Sequence, residues 1–268
     1  MNTARAPRIF ITGASSGIGA ALAAEYAQRH PRATIGLLAR REALLEAVAQ
    51  TLAPVATLRY AADVTDPDAL AAAARHFVRH AGPPDVVVAN AGISVGTLTG
   101  EAHDAPVFRR IVETNLIAMP ETFAPFLAAM RERGSGTLVG IASVAGVRGM
   151  PGAGAYSASK AAAIAYLESL RLELRGSGVS VVTIAPGFVR TPMTARNRYP
   201  MPFLVDADVF ARRAVDAIAA RRSFAVIPWQ MRIVAALVGA LPNPVFDRLF
   251  AKAPRKARLE GVRTESER

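Results

Sequence analysis

The sequence predicts an α/β fold, a doubly wound parallel sheet of about seven strands with helices on both faces. Short apolar runs alternate with longer, alanine-rich stretches of helical length. The runs are continuously apolar, as in parallel strands that helices cover on both faces. No linker or change of composition divides the chain. We therefore expect a single Rossmann-type domain whose ligands bind at the carboxyl ends of the strands.

Each apolar run is predicted as a strand, and each alanine-rich stretch as a helix. The strands are predicted at residues 8–12, 33–39, 55–63, 85–90, 136–143, 179–186 and 223–228. The helices are predicted at residues 17–30, 41–53, 67–81, 106–133 and 155–176. Pro120 and Pro125 lie inside the helix at 106–133, so we expect a kink or a later start there, because proline lacks the N–H that a helix interior needs.

Composition restricts the class of protein. Of the 268 residues, 51% are hydrophobic and 20% charged, which favours a folded domain with one large core over a disordered chain. The absence of cysteine excludes disulfides and thiol chemistry. The N-terminus enters an apolar strand by residue 8, without a signal-peptide pattern, so we expect a cytoplasmic protein. The histidines show no metal-site spacing with cysteines or carboxylates, so no metal is expected at His30, His76, His80 or His103.

The charge distribution argues against a nucleic-acid partner. The formal net charge is +11, but the arginines are scattered as pairs along predicted helices, without a recognition-helix or RNA-binding motif. An arginine-rich, solvated surface accounts for this pattern. Such a surface would still favour weak binding to polyanions, including phosphorylated ligands and acidic lipid headgroups.

A glycine-rich loop joins the first strand to the first helix. The sequence "TGASSGIG", residues 12–19, carries Gly13, Gly17 and Gly19 in a G-x-x-x-G-x-G spacing. These glycines allow restricted backbone angles and let a pyrophosphate approach the amides at the helix N-terminus. The loop therefore predicts a bound dinucleotide.

Lysine is rare in this chain. Of 32 basic residues only Lys160, Lys252 and Lys256 are lysines, and Lys160 lies four positions after Tyr156 on a predicted helix, hence on the same face. A nearby cation lowers the pKa of a tyrosine from about 10, which suits a proton donor. Lysine is also a compact charge that can reach two ribose hydroxyls. Such a pair occurs on ordinary amphipathic helices too, but Ser143 at the end of a strand could converge with it on one substrate oxygen.

Taken together, the motifs resemble the short-chain dehydrogenase/reductase family. They are "TGASSGIG", "NAG" at 90–92, Asn115, Ser143, "YSASK" and "PGFVRT" at 186–191, in the family's order and spacing over roughly residues 8–228. Ala89 departs from the family, which often has an asparagine at this mainly structural position. The resemblance implies an oxidoreductase that transfers hydride between a nicotinamide and a carbonyl or secondary alcohol. It also implies a homodimer or homotetramer.

The resemblance further implies individual roles. Ser143 would hydrogen bond the carbonyl oxygen, Tyr156 would act as general acid, Lys160 would hold the nicotinamide ribose and tune Tyr156, and Asn115 would support a water-linked proton path. Asn115 could instead be a helix-interior amide that satisfies backbone groups. The implied cofactor-binding residues are Gly13, Ser15, Ser16, Gly17, Ile18, Gly19, Arg40, Asp63, Val64, Asn90, Ala91, Gly92, Tyr156, Lys160, Pro186, Gly187, Val189 and Thr191.

The end of the second strand bears on the choice of cofactor. A carboxylate there would bind the adenosine ribose and repel a 2′-phosphate, whereas an arginine would pair with that phosphate. The chain has Ala39 followed by Arg40. Resemblance to the phosphate-preferring members implies that Arg40, with Ser15, holds the 2′-phosphate and that NADP(H) is preferred over NAD(H). The alternative is that Arg40 belongs only to a polar helix start.

The segment after "PGFVRT" is implied to cover the substrate, as a lid at about residues 190–221. Its irregular first part suggests an apolar substrate through Met193, Tyr199, Met201, Phe203 and Leu204, although these could be ordinary packing residues. We thus divide the chain into a dinucleotide-binding and catalytic core, residues 1–228, and a C-terminal amphipathic, basic extension, residues 229–268, that is not an independent domain.

The extension leaves three roles open. Its apolar run from Ile233 to Leu241 is too short to span a bilayer. With the basic segment "KAPRKAR", residues 252–258, it could lie on an anionic membrane surface on the cytoplasmic face. It could equally form a subunit interface or a cap over the substrate pocket. The functional alternative is a non-catalytic regulator that senses NADP(H), against which the full set of Tyr156, Lys160, Ser143 and Asn115 argues.

Overall fold

The computed structural model describes residues 5–195, 197 and 199–258. The strands are β1 (Arg8–Thr12), β2 (Thr34–Ala39), β3 (Ala56–Ala61), β4 (Val86–Ala89), β5 (Gly136–Ile141), β6 (Val179–Pro186), β7 (Val189–Arg190), β8 (Val205–Asp206) and β9 (Phe224–Ile227). The α-helices are α1 (Gly17–Arg29), α2 (Glu42–Thr51), α3 (Pro67–Ala81), α4 (Asp104–Val112), α5 (Ala118–Arg133), α6 (Gly154–Glu173), α7 (Ala207–Ala219), α8 (Trp229–Ala240) and α9 (Asn243–Phe250).

Seven of the strands form one parallel sheet in the order β3-β2-β1-β4-β5-β6-β9. All seven correspond to predicted apolar runs, so the α/β prediction is confirmed. The chain order reverses between β1 and β4, and this is the point at which doubly wound sheets bind ligands. The glycine-rich loop follows β1 at this position.

Side chains of successive strand residues supply two separate apolar layers. Ile9 and Ile11 of β1 belong to the layer that includes buried residues of α1, α2 and α7. Phe10 between them belongs to the other layer, where its ring packs against Phe77 at 5.4 Å and Phe126 at 5.0 Å between centroids. Because both faces of the central strands are buried, most of their residues are apolar, which explains the continuous apolar runs.

The helix predicted at residues 106–133 is interrupted. A π-helical turn at Glu113–Ile117 separates α4 from α5. Pro120 has no N–H for the carbonyl of Leu116 four residues earlier, so regular α-helical hydrogen bonding cannot continue through this point. The structure thus shows an interruption before Pro120 and no later start, because α4 already begins at Asp104, while Pro125 is accommodated inside α5.

The segment predicted as a lid contains a core helix. Phe210, Ala214 and Ile218 of α7 are buried in the layer that also contains α1, so this part of residues 190–221 packs against the core. The pairing of β7 with β8 brings the ends of the intervening loop together. We therefore restrict the proposed lid to this loop, of which residues 196 and 198 lie outside the described residues.

The extension packs on the core through its two helices. Arg148 donates a hydrogen bond to the Leu241 carbonyl at 3.0 Å, and its guanidinium lies 4.1 Å from the centre of the Phe246 ring. Within the described residues, no single helix has the length and apolar character of a membrane span. The pair α8 and α9 taken together reaches that length and composition, but the two helices are bent by 119°. Residues 259–268 of the predicted extension lie outside the described part of the chain.

Candidate active site

The glycine-rich loop forms a tight turn between β1 and α1. Gly13 and Gly17 have φ angles of +67° and +57°, which side chains with a Cβ rarely adopt. A Cβ on Gly13 would also lie 2.8 Å from the Ala91 Cα atom. The amide of Asn90 braces the loop by donating to the carbonyls of Thr12 at 2.9 Å and Gly13 at 3.2 Å. The turn thus lets the backbone just after β4 approach closely.

The first turn of α1 is suited to a phosphate. Ser16 is the N-cap residue, but its side chain does not cap the helix. The first amide groups of a helix have no intrahelical acceptor, and their partial positive charge attracts anions. The residues present therefore fit the pyrophosphate of a dinucleotide.

One cleft at the carboxyl ends of the strands collects most of the predicted cofactor residues. Gly19 does not line it, because this residue packs against the carbonyl of Gly13 and Asn90. Asn115 lies behind the cleft, beside a small separate cavity. The predicted residues that line the cleft are Gly13, Ser15, Ser16, Gly17, Ile18, Arg40, Asp63, Val64, Asn90, Ala91, Gly92, Ser143, Tyr156, Lys160, Pro186, Gly187, Val189 and Thr191.

Two arginines follow β2 at the adenosine end of the cleft. Arg41 donates to the hydroxyls of Ser15 at 3.1 Å and Ser16 at 3.0 Å. Arg40 is largely exposed and forms an ion pair with Asp63 at 3.6 Å. The sequence interpretation assigned the phosphate to Arg40 and did not single out Arg41. The paired arginines in "ARRE" were the signal that could have identified it.

Asp63 follows β3 and is surrounded by donors. Burial raises the pKa of its carboxyl, but the amide and hydroxyl of Thr65 and the charges of Arg110 and Arg40 outweigh this, so the pKa lies below its ordinary value. Arg110 contacts the carboxylate at 2.5 Å. Asp63 is therefore an anion near neutral pH.

Ser143, Tyr156 and Lys160 converge where β5 ends and α6 begins. Ser143 follows β5, and its hydroxyl accepts from the Ala145 amide at 3.1 Å. It lines the cleft together with Tyr156 and lies close enough to affect the pKa of that phenol. Tyr156 and Lys160 lie in the first two turns of α6. Lys160 is only 4% exposed, and its ammonium donates to the Ile141 carbonyl at 2.7 Å. The end of one strand and the start of one helix thus hold the three polar groups.

Burial dominates the titration of this group. It raises the pKa of Tyr156, against the hydrogen bond from Ser143, and the nearby phenol of Tyr199 adds to the increase. Burial also lowers the pKa of Lys160 to about 8. The expected decrease in the pKa of Tyr156 is therefore not found, because removal from water disfavours the phenolate more than its neighbours stabilise it.

Asn115 is fixed by the π-helical turn. Its Oδ1 accepts from the Ile93 amide at 2.8 Å, and its Nδ2 donates to the Ile93 carbonyl at 3.0 Å and to Ser159 Oγ at 3.1 Å. Ser159 in turn donates to the Tyr156 carbonyl at 2.8 Å. Asn115 thus satisfies backbone groups, as the structural alternative predicted, and connects the loop after β4 to the first turns of α6. Its part in a proton path stays a prediction.

Replacing Asn115 by alanine should destabilise the fold. The variant leaves the N–H and C=O of Ile93 without partners, and we expect the free energy of unfolding to fall by about 2–5 kcal/mol. Urea denaturation measures this, with Gln50→Ala, which removes an exposed amide bonded to Glu46, as the control. A loss for Asn115→Ala no larger than that of the control would contradict the bracing role.

Lys160 should make stability depend on pH. Its pKa is about 8 in the folded protein against 10.5 for a lysine exposed to water, so between these values the unfolded chain binds more protons. The free energy of unfolding should therefore rise from pH 8 to about pH 9.5, by at most about 1.4 kcal/mol per pH unit for this group. Tyr156 and Tyr166, whose pKa values are raised by desolvation, act in the opposite sense at higher pH.

Urea denaturation of the wild type and of Lys160→Met at the two ends of this range tests the effect. The variant should show a smaller increase in stability with pH than the wild type. Equal increases in both proteins would mean that Lys160 is not held with a lowered pKa.

The fold and the site define a class of protein, a dinucleotide-binding α/β oxidoreductase. The chain belongs to the short-chain dehydrogenase family, because the family model described as short chain dehydrogenase matches residues 7–201. This confirms the resemblance seen in the sequence motifs.

Individual proteins agree with this assignment. An uncharacterized oxidoreductase from Myxococcus xanthus is 40% identical over 242 residues, which cover 88% of this chain and 93% of the relative. A short-chain dehydrogenase from Sphingobium yanoikuyae, in complex with NADPH, is 27% identical, with a TM-score of 0.75 and coverage of 96% of this chain and 100% of that chain. A family member from Burkholderia phymatum, in complex with NAD, shares the fold with a TM-score of 0.78, 24% identity and coverage of 88% and 94%. The similarities support a nicotinamide cofactor.

Proposed function

We propose that this protein is an NADP(H)-dependent oxidoreductase that transfers hydride between the nicotinamide and a carbonyl or secondary alcohol. The observation that carries the proposal is the convergence of Ser143, Tyr156 and Lys160 in the cleft that the glycine-rich loop opens. These side chains provide a proton donor, a second hydrogen-bonding group and a cation within one wall of the cleft.

The chain's own groups would act on the substrate oxygen. The Tyr156 hydroxyl donates a proton as negative charge develops on that oxygen, and it accepts the proton in the reverse direction. The hydroxyl of Ser143, which lines the cleft beside Tyr156, would hold the same oxygen. The ammonium of Lys160 binds ribose hydroxyls and adds positive charge beside the phenol. The nicotinamide, when bound, supplies the hydride. A raised pKa keeps Tyr156 protonated and therefore able to act as the acid.

The preference for NADP(H) rests on the residues after β2. Ala39 leaves no carboxylate at the strand end, and Arg40 and Arg41 both line the cleft. Arg41, bridged to Ser15 and Ser16, is the residue best positioned for a 2′-phosphate, with Arg40 as a second charge. Because the Sphingobium relative is in complex with NADPH and the Burkholderia family member with NAD, the proposal rests on the arginines of this chain.

The substrate is proposed to be largely apolar. Met193 lines the cleft and is 38% exposed, and Phe203 of the same loop is 49% exposed. Tyr199 is close enough to Tyr156 to affect its pKa. Apolar groups on a loop beside the reacting residues support its role as the substrate lid.

The protein is further proposed to be a homodimer or homotetramer in the cytoplasm. Exposed Phe108 and Ile117, in the region of α4 and α5, support a subunit interface. Contact of the extension with a membrane stays a prediction, since Lys256 and Arg258 of the basic segment contact groups of the protein itself. The sensor alternative has no supporting observation in the site, which retains its proton donor.

A substrate panel tests the proposed function. We expect purified protein to consume NADPH with at least one class among aldehydes, ketones, sugars, quinones and long-chain or steroid-like carbonyls. The same panel with NADH serves as the cofactor control. Tight NADPH binding without turnover across the panel would favour the sensor alternative instead.

A further inference from the structure

The basic segment at the end of the described chain, residues 252–258, returns to the carboxyl ends of the strands. The Gly96 amide donates to the Ala257 carbonyl at 2.9 Å. Arg258 forms ion pairs with Asp104 at 2.8 Å and with Glu101 at 3.2 Å. We call residues 252–258 the strap. It therefore lies over the loop that follows β4, at the edge of the cleft.

Asp104 fixes the end of the strap. This residue is 4% exposed, and its carboxylate accepts from the Leu98 amide at 2.8 Å in addition to Arg258. The Leu98 amide has the larger effect and the Arg258 guanidinium a smaller one, and together they lower the pKa of Asp104 although burial raises it. A buried anion that requires its cationic partner holds that partner in place. The buried carboxylate of Asp104 thus fixes the position of the strap through Arg258.

Lys256 of the strap reaches the proposed catalytic residues. Its ammonium donates to Ser94 Oγ at 2.5 Å and lies 5.4 Å from the centre of the Tyr156 ring. Ser94 itself lines the cleft. Lys256 therefore approaches Tyr156 from a segment near the C-terminus, far from it in the sequence.

Among residues 5–258 as described, the ammonium of Lys256 is a cation without an anionic partner. Within the part of the chain that the structure describes, no carboxylate forms an ion pair with Lys256. Burial lowers its pKa to about 8, as expected for a cation without such a partner. An ammonium has two further donor hydrogens, and Ser94, which accepts from Lys256 and lines the cleft, can donate through its own hydroxyl.

We infer that Lys256 and Ser94 form a subsite for the carboxylate of an oxo acid substrate, whose carbonyl is reduced at Tyr156. The inference rests on the proposed function and names its substrate class. One ammonium and one hydroxyl match the two oxygens of a carboxylate, and charge-assisted bonds of this kind are short, at about 2.7–2.9 Å. Lys256 lies beside the ring of Tyr156, the proposed proton donor, so the carboxylate and the carbonyl of the substrate are separated by a few bonds. The hydrocarbon body of the substrate contacts the apolar lid.

Binding of matched acids and esters tests the subsite. The probes are 2-oxo-, 4-oxo- and 5-oxohexanoate and their methyl esters, titrated calorimetrically into the full chain saturated with NADP⁺. At least one acid should bind the wild type more tightly than its ester. Lys256→Met should weaken binding of that acid by about 10- to 100-fold and leave the ester within about 2-fold. Lys252→Met, an exposed lysine of the same strap, should change neither.

The outcomes separate the two proposals. The subsite is overturned if wild type and Lys256→Met bind the acids equally, if the variant loses affinity equally for acid and ester, or if no acid binds. In each of these cases, turnover of other carbonyls would leave the proposed function intact. Acid binding that depends on Lys256 but never leads to NADPH consumption upholds the subsite and counts against the reductase. Partial recovery of acid binding in Lys256→Arg supports the role of the charge.

Discussion

Replacing Tyr156 by phenylalanine is expected to lower kcat/KM for NADPH-dependent carbonyl reduction by about 10²–10⁴-fold. The substitution removes one hydroxyl and keeps the ring, so packing in the first turns of α6 is retained. Ser143 remains to hold the substrate oxygen, but the variant has no positioned phenol to donate a proton. The initial rate of NADPH consumption with the best substrate of the panel measures the effect.

Tyr166→Phe is the matched control, because it removes a phenol hydroxyl from the same helix outside the cleft. It should retain activity within about 2-fold. The dissociation constant for NADPH should change little in Tyr156→Phe, which separates chemistry from cofactor binding. If Tyr156→Phe kept activity comparable with that of the control, the phenol would not be the proton donor.

Removing both arginines after β2 is expected to reverse the preference for cofactor. Each charge-assisted bond to a phosphate contributes a free energy that corresponds to about 10- to 100-fold in affinity. Arg40→Ala combined with Arg41→Ala should therefore weaken NADPH binding by about 10²–10⁴-fold. Binding of NADH, which has no 2′-phosphate, should change by only a few-fold.

The single variants distinguish the two arginines. Arg41 contacts Ser15 and Ser16 in the glycine-rich loop, whereas Arg40 is shared with Asp63, so Arg41→Ala should cause the larger loss. Arg59→Ala is the control, because Arg59 is an exposed arginine of β3 that forms an ion pair with Glu46 of α2. This variant should change the affinity for neither cofactor. An equal loss of NADH and NADPH affinity in the double variant, or a wild type that binds NADH more tightly, would refute the assignment.

The architecture could be predicted because burial on both faces of the sheet leaves a local signal. Continuous apolar runs located all seven strands, and α1 and α3 begin at the predicted residues. The π-helical turn could not be predicted in this way, because it depends on the contact of Asn115 with Ile93 as well as on Pro120. Helix α7 was not predicted, because the family resemblance assigned its residues to the lid.

The candidate site was predictable where adjacent residues share a motif. Motif residues of the glycine-rich loop and of "YSASK" line one cleft. Contacts between distant segments left no such signal. The approach of Lys256 to Ser94 spans 162 positions and depends on the strap docking against Asp104, so the sequence showed only that lysine was rare. The pKa of Tyr156 likewise follows from burial, which one helical pair cannot reveal.

Isotope transfer from the cofactor is the most direct measurement of the central claim. NADPH deuterated at nicotinamide C4, on one face or the other, is incubated with the protein and a carbonyl substrate, and the product is analysed by mass spectrometry. We predict one deuterium on the carbinol carbon from one of the two labelled cofactors and none in Tyr156→Phe over the same time. NADPH that is consumed without deuterium reaching that carbon from either label would contradict hydride transfer at this site.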